Sequence, residues 1–267
     1  MFVKTHPIPK ERTLSKQTGD KIKKSAVTSI VGQGPILLVA EHAGNLVPEF
    51  WENLGLPALY FDTHFGVDLG IDKLTREMSK RLNMPAVLAN YSRLFLDYNR
   101  SSSAWDYCRP DLAGIPIPGN LMLEAADIEI RNNVAAIPLY EAIEQRFVGN
   151  EALIGLHSFT PFIHGAERQV DIGTIWRAQT PFVSLVSQLL EKFGSSAGLR
   201  IGHNEPYEWH DEANNSLLVH GINKGRVCIY LEINNSHLLD ESRYLIIVSV
   251  LSKVFQAINA EISQKTL

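Results

Sequence analysis

Cysteine is nearly absent from this chain. Its 267 residues include two, Cys108 and Cys228, far apart and without a C-x-x-C pair. That count argues against a disulfide framework and excludes a thiolate zinc site; both side chains are expected as buried free thiols. Long apolar runs are missing as well, and no stretch approaches the roughly 20 residues that cross a bilayer, so no membrane partner is expected. There is no excess of positive charge either. Lys and Arg number 25 against 29 Asp and Glu, a net charge of -4. The cations are spread along the chain, which argues against nucleic acid as a partner. A small anionic substrate would then be held by a few placed cations and not by a general field. Residues 1–24 are polar and Lys-rich and lack the apolar core of a secretory signal. They read as a polar arm, residues 25–267 as one domain, and the cytoplasm as the expected compartment.

What is present is a globular balance, 45% hydrophobic and 20% charged. Continuous apolar runs at 35–40, 86–89, 152–156 and 227–231 predict strands covered on both faces. Helical spacing predicts helices over 68–82, stopped by Asn83-Met84-Pro85, over 124–147 with a kink at Pro138, over 181–193 and over 245–262. The alternation implies a three-layer α/β/α fold around a mostly parallel mixed sheet. Residues 101–120, with Pro110, Pro116 and Pro118, predict a long loop of the kind that closes over sites.

Three of these strands end in chemistry. The first runs into Glu41-His42-Ala43-Gly44-Asn45, the third into His157-Ser158, the last into Glu232. In a parallel sheet such ends converge on one edge. A metal site needs that convergence, because three or four ligands must meet within about 2.0–2.3 Å of one ion. Catalytic zinc keeps an open position for water, and a separate carboxylate moves the proton. Taken singly, His42 and His157 are better explained by structural hydrogen bonds; the pairing at two strand ends raises the metal reading to an even one. The third ligand stays open among Glu41, Asn45, Asp62, His64 and Asp68. Asp68 also suits a helix N-cap, and Asp62 suits a group that orients a ligand histidine. His164, His203, His210, His220 and His237 read as surface or supporting groups. In the 91–100 segment, Arg93, Asn99 and Arg100 suit recognition of a carboxylate, although an Arg93–Asp97 ion pair bracing the loop is equally expected.

The ordered set continues through Asp62-Thr63-His64, Ser92-Arg93 to Asn99-Arg100, His157-Ser158-Phe159-Thr160-Pro161, Asn204-Glu205-Pro206-Tyr207 and Leu231-Glu232-Ile233. From about Pro35 to Asp240 it resembles the N-formylglutamate amidohydrolase family, particularly its broad branch of predicted amidohydrolases. The resemblance implies a fold similar to zinc-dependent exopeptidases (phosphorylase/hydrolase-like) and cell-wall amidases. It implies a metal held by His42, Asp68 and His157, zinc before iron, manganese or cobalt, with Glu232 as general base and acid. Arg93, Asn99 and Arg100 would bind an anionic N-acyl amino acid, and Asp62 and Ser158 would support the site. Relatives often carry arginine where this chain has Asn234, which leaves the substrate open. The rival readings are a peptidoglycan or peptide amidase with the same metal site, and a non-catalytic binding protein on this scaffold. Esterase chemistry at Ser158 is disfavoured, because no G-x-S-x-G elbow surrounds it.

Overall fold

The apolar runs form the inner strands of one seven-stranded sheet. The computed structural model describes residues 25–149, 152–163 and 165–265; the 1–24 arm and His164 lie outside them. The strands are β1 (Val27–Ile30), β2 (Ile36–Ala40), β3 (Ala86–Ala89), β4 (Asp111–Leu112), β5 (Ile115–Pro116), β6 (Ala152–Phe159), β7 (Phe162–Ile163), β8 (Ala166–Glu167), β9 (Ile172–Ile175), β10 (Ile201–His203) and β11 (Val227–Asn234). The helices are α1 (Ile71–Leu82), α2 (Ala125–Arg131), α3 (Ile137–Arg146), α4 (Pro181–Ser195), α5 (Asn215–His220), α6 (Asn235–Leu239) and α7 (Glu241–Lys265).

The main sheet runs β1-β3-β2-β6-β11-β9-β10. The β3-β2-β6-β11 block is parallel and β10 runs parallel to β9, whereas β1 on β3 and β9 on β11 are antiparallel. The fold is therefore α/β with a mixed sheet. Strand alternation divides β2 between two cores. Ile36, Leu38 and Ala40 face the core covered by α1, α4 and α7, while Leu37 and Val39 face the one covered by α3, α5 and the 91–98 segment. All five are fully buried, and each larger side chain contributes about 1.5–3 kcal/mol of transfer free energy.

Several boundaries differ from the sequence reading for local reasons. The 124–147 helix is three pieces, with a π turn at Asn132–Ala136 between α2 and α3. Pro138 has no N–H to return to the carbonyl of Val134, and the backbone widens just ahead of it. The helix expected from Asp68 begins at Ile71, capped by Gly70 at φ 83°. The proline-rich segment has structure of its own. It forms the β4–β5 hairpin and a turn, Pro118–Asn120. Buried Arg131 donates to the carbonyls of Phe95 (2.6 Å) and Gly119 (2.7 Å) and to Asn120 Oδ1 (2.8 Å).

One apolar stretch does reach bilayer length. Glu241–Gln264 of α7 has a mean hydropathy of 1.6 in its most apolar window. Its Ile247, Leu251, Val254, Phe255 and Ile258 are all fully buried in the core shared with α4 and the sheet, which accounts for the composition without a membrane.

Candidate active site

The site is built at the carboxyl edge of β2, β6 and β11. His157 and Glu232 lie inside their strands, not after them, and the parallel register places them side by side. Neighbouring strands lie about 4.8 Å apart, so the two side chains share one face. The other neighbour of Glu232 is Gly173 on β9. A Cβ there would fall 1.8 Å from the Glu205 carbonyl oxygen, so the 204–207 loop lies directly on the strand beside Glu232. Asp68 arrives from the turn ahead of α1, its N–H donating to the His42 carbonyl at 2.9 Å. Gly70 holds the cap position, so the Asp68 carboxylate does not cap the helix and turns to the site.

Two histidines converge on one of those oxygens. His157 Nδ1 is 2.9 Å from Asp68 Oδ2, and His157 Nε2 is 3.0 Å from Glu41 Oε2. His42 Nε2 is 2.7 Å from Asp97 Oδ1, and its Nδ1 stands 3.6 Å from Asp68 Oδ2. That Nδ1 is buried and makes no hydrogen bond. The rings meet edge to face at 4.8 Å. Asp97 also takes Arg93 Nη2 at 2.6 Å, and Arg93 Nη1 reaches 3.5 Å from Asp68 Oδ1.

This arrangement fits a metal ion. The three donors lie within 4.8 Å of one another. Tetrahedral ligands at about 2.0–2.1 Å from an ion are about 3.3 Å apart, a value that the two separations from Asp68 Oδ2, 3.6 Å and 2.9 Å, bracket. Each ring nitrogen turned away from Asp68 meets a carboxylate, Asp97 or Glu41, the usual way of fixing a ligand histidine's tautomer. The orphaned His42 Nδ1 is the atom such an ion would satisfy.

The electrostatics are those of a buried, charged cluster. Burial alone would lower the His157 imidazole, but its bonds to Asp68 and Glu41 hold it well above its ordinary value. Burial would raise Asp68, yet the two histidines hold its carboxyl far below the usual range. Arg93 does the same for Asp97, aided by His42. Glu232 goes the other way. Burial pushes it up to about 7, and Asp68 adds to this against the opposing pull of His157, His42 and Arg93. One of its oxygens, Oε2, is buried without a partner. A carboxyl poised near neutrality can take and return a proton.

The remaining expected residues are placed as follows. Arg93 is at the cluster. Asn99 is turned behind it, its Oδ1 accepting from Tyr230 Oη (2.8 Å) and Ser216 N (3.2 Å). Arg100 binds Asp106 at 2.7 Å and the Ala213 carbonyl at 3.1 Å. Asp62 accepts from Asn45 Nδ2 at 2.6 Å, so its observed partner is an amide and not a histidine. Ser158 braces Asp68 through its N–H (3.1 Å) and the neighbouring Leu69 carbonyl through its hydroxyl (3.0 Å). Glu41 and Asp97 are histidine partners that the sequence does not reveal. Their hydrogen bonds to the histidines join positions 116 and 55 residues apart, a pairing that no local pattern carries. Beside Asp68 a groove of about 540 Å³ opens, lined in part by Asn45, Asp62, Gly70 and Lys73.

Fold and cluster together define an α/β protein with a candidate metal centre at the carboxyl edge of its sheet. Residues 34–239 match the N-formylglutamate amidohydrolase family, and the chain belongs to it. No curated protein matches the sequence. Among solved structures, gene product Atu2144 from Agrobacterium tumefaciens is 25% identical, with a TM-score of 0.81 over 94% of this chain and 100% of that one. The N-formylglutamate amidohydrolase from Ralstonia eutropha JMP134 is 16% identical, with a TM-score of 0.61 over 91% and 100%; that likeness is one of fold.

Proposed function

We propose that the chain hydrolyses the linear amide of a small N-acyl amino acid, with N-formylglutamate as the reference substrate. Family membership supports amide hydrolysis. The observation that carries the reading is the convergence of His42 and His157 on Asp68, with Glu232 beside them. His42 Nδ1, His157 Nδ1 and Asp68 would hold a divalent ion, for which the two imidazoles and one carboxylate suit zinc. When bound, such an ion polarises the amide carbonyl and acidifies water.

The chain's own groups supply the rest. Glu232 takes the proton of the attacking water and delivers it to the leaving nitrogen. Glu41 and Asp97 keep each histidine's Nε2 protonated and its Nδ1 turned inward. Arg93, partly exposed, brings positive charge to the rim beside Asp68. The test is Glu232→Gln in the zinc-loaded protein, assayed on N-formylglutamate. Turnover should fall by about 10²-fold or more while elemental analysis still finds the metal. Retained turnover, or loss of the metal in that variant, would overturn the role given to Glu232.

A further inference from the structure

An anionic substrate needs a cation that no protein carboxylate already neutralises. Arg93 is paired with Asp97 and Asp68, and Arg100 with Asp106. Next to the same edge stands Arg168, which forms no ion pair among the described residues. Its surroundings are built. The β7–β8 hairpin returns the chain so that Arg168 N donates to the Pro161 carbonyl at 2.7 Å. Its Nη1 donates to the Thr160 carbonyl at 3.1 Å. The guanidinium carbon lies 5.5 Å from the Phe159 ring and 4.6 Å from the Tyr207 ring. The Tyr207 hydroxyl also bonds the guanidinium, whose five N–H donors exceed these two partners and leave some for a carboxylate.

Position follows from strand geometry. Phe159 is two residues beyond His157 on β6, so the two side chains share a face about 6–7 Å apart. Across the ladder, Phe159 pairs with Asn234 as His157 pairs with Glu232. No cation comes from β11 at this level, because Asn234 Oδ1 caps α6 by accepting from Ser236 N at 3.1 Å. Tyr207 is carried there by the loop that lies on Gly173, the neighbour of Glu232. Arg168 therefore stands one residue pair outward from the reacting centre. In an N-acyl amino acid, the α or γ carboxylate lies about 4–7 Å from the amide carbonyl at ordinary bond lengths.

We infer that Arg168, stacked on Phe159 and Tyr207, binds the carboxylate of the substrate and selects N-acyl amino acids over their uncharged amides. The inference rests on the active-site reading above, and its test can fail separately. The full-length, zinc-loaded chain carrying Glu232→Gln would be titrated calorimetrically with N-acetyl-L-glutamate and with its uncharged diamide. The acid should bind about tenfold to a hundredfold more tightly than the diamide, as expected of charge-assisted hydrogen bonds. Adding Arg168→Met should remove that preference and leave diamide affinity and zinc content unchanged; Arg168→Lys should keep part of it. No preference in the Arg168 protein overturns the inference, as does a preference that survives Arg168→Met. Equal loss of both probes in the Met variant also overturns it, since that marks a structural role. If the preference depends on Arg168 but the Glu232 protein turns over no N-acyl amino acid, the carboxylate site stands and the proposed reaction falls.

Discussion

Glu232 and Asp68 lie in one buried cluster and respond to it in opposite ways. Asp68 is hydrogen-bonded to a histidine and held ionised; Glu232 has an oxygen without a partner and is pushed up to about 7. As general base it must be ionised, which it is above that value. The rate at subsaturating substrate should therefore fall with a slope of one as Glu232 takes up its proton, at about 7 in the metal-free chain and lower beside a bound cation. A pH profile of kcat/KM with no acidic limb at all would remove Glu232 from that role. The meeting of these residues at one edge was legible in the sequence, because His42, His157 and Glu232 each follow an apolar run, and such runs end at one edge of a parallel sheet. Asn99 and Arg100 were less so. Their partners are Tyr230 and Asp106, and composition marks an arginine as available without showing the carboxylate that already holds it.

Elements were read best where they are long and apolar. β6 and β11 were found, but each extends three residues further, through His157-Ser158-Phe159 and Glu232-Ile233-Asn234. The polar members belong to the strands because the ladder between them continues, and hydrophobicity does not record a ladder. β1, β9 and β10 were missed altogether. They have three or four residues each, with Gly, Thr or Ser among them, and two of them form the sheet's edges. β9 nonetheless sets the wall beside Glu232. At Gly173 an added Cβ would meet the Glu205 carbonyl at 1.8 Å, and backbone cannot yield cheaply. Gly173→Ala should therefore cost about 1–3 kcal/mol in chemical denaturation. It should also raise KM by shifting the loop that carries Tyr207. A variant with unchanged stability would show that the loop does not rest on this strand.

At the scale of the molecule, the alternation of strands and helices forecast a layered α/β fold, since a sheet buried on both faces needs helices on each. The cost of that economy sits at the centre, where Glu41, Asp68 and Asp97 are buried beside Arg93 and two histidines. Buried charges are tolerated only with partners, and here every such carboxylate has one, while His42 Nδ1 has none. A bound ion would complete the set and would stabilise the folded chain alone, since the unfolded chain lacks the site. At a hundredfold excess over its dissociation constant it contributes about 2.7 kcal/mol. For a chain of this size that corresponds to a rise in Tm of about 5–10 °C. Zinc added to chelator-treated protein should produce this rise, and His42→Ala combined with His157→Ala should abolish it. The same rise in the double variant would mean that zinc acts elsewhere on the chain. No rise in the chelator-treated wild type would leave the convergence on Asp68 as a hydrogen-bonded network, and the hydrolytic reading would lose the observation that carries it.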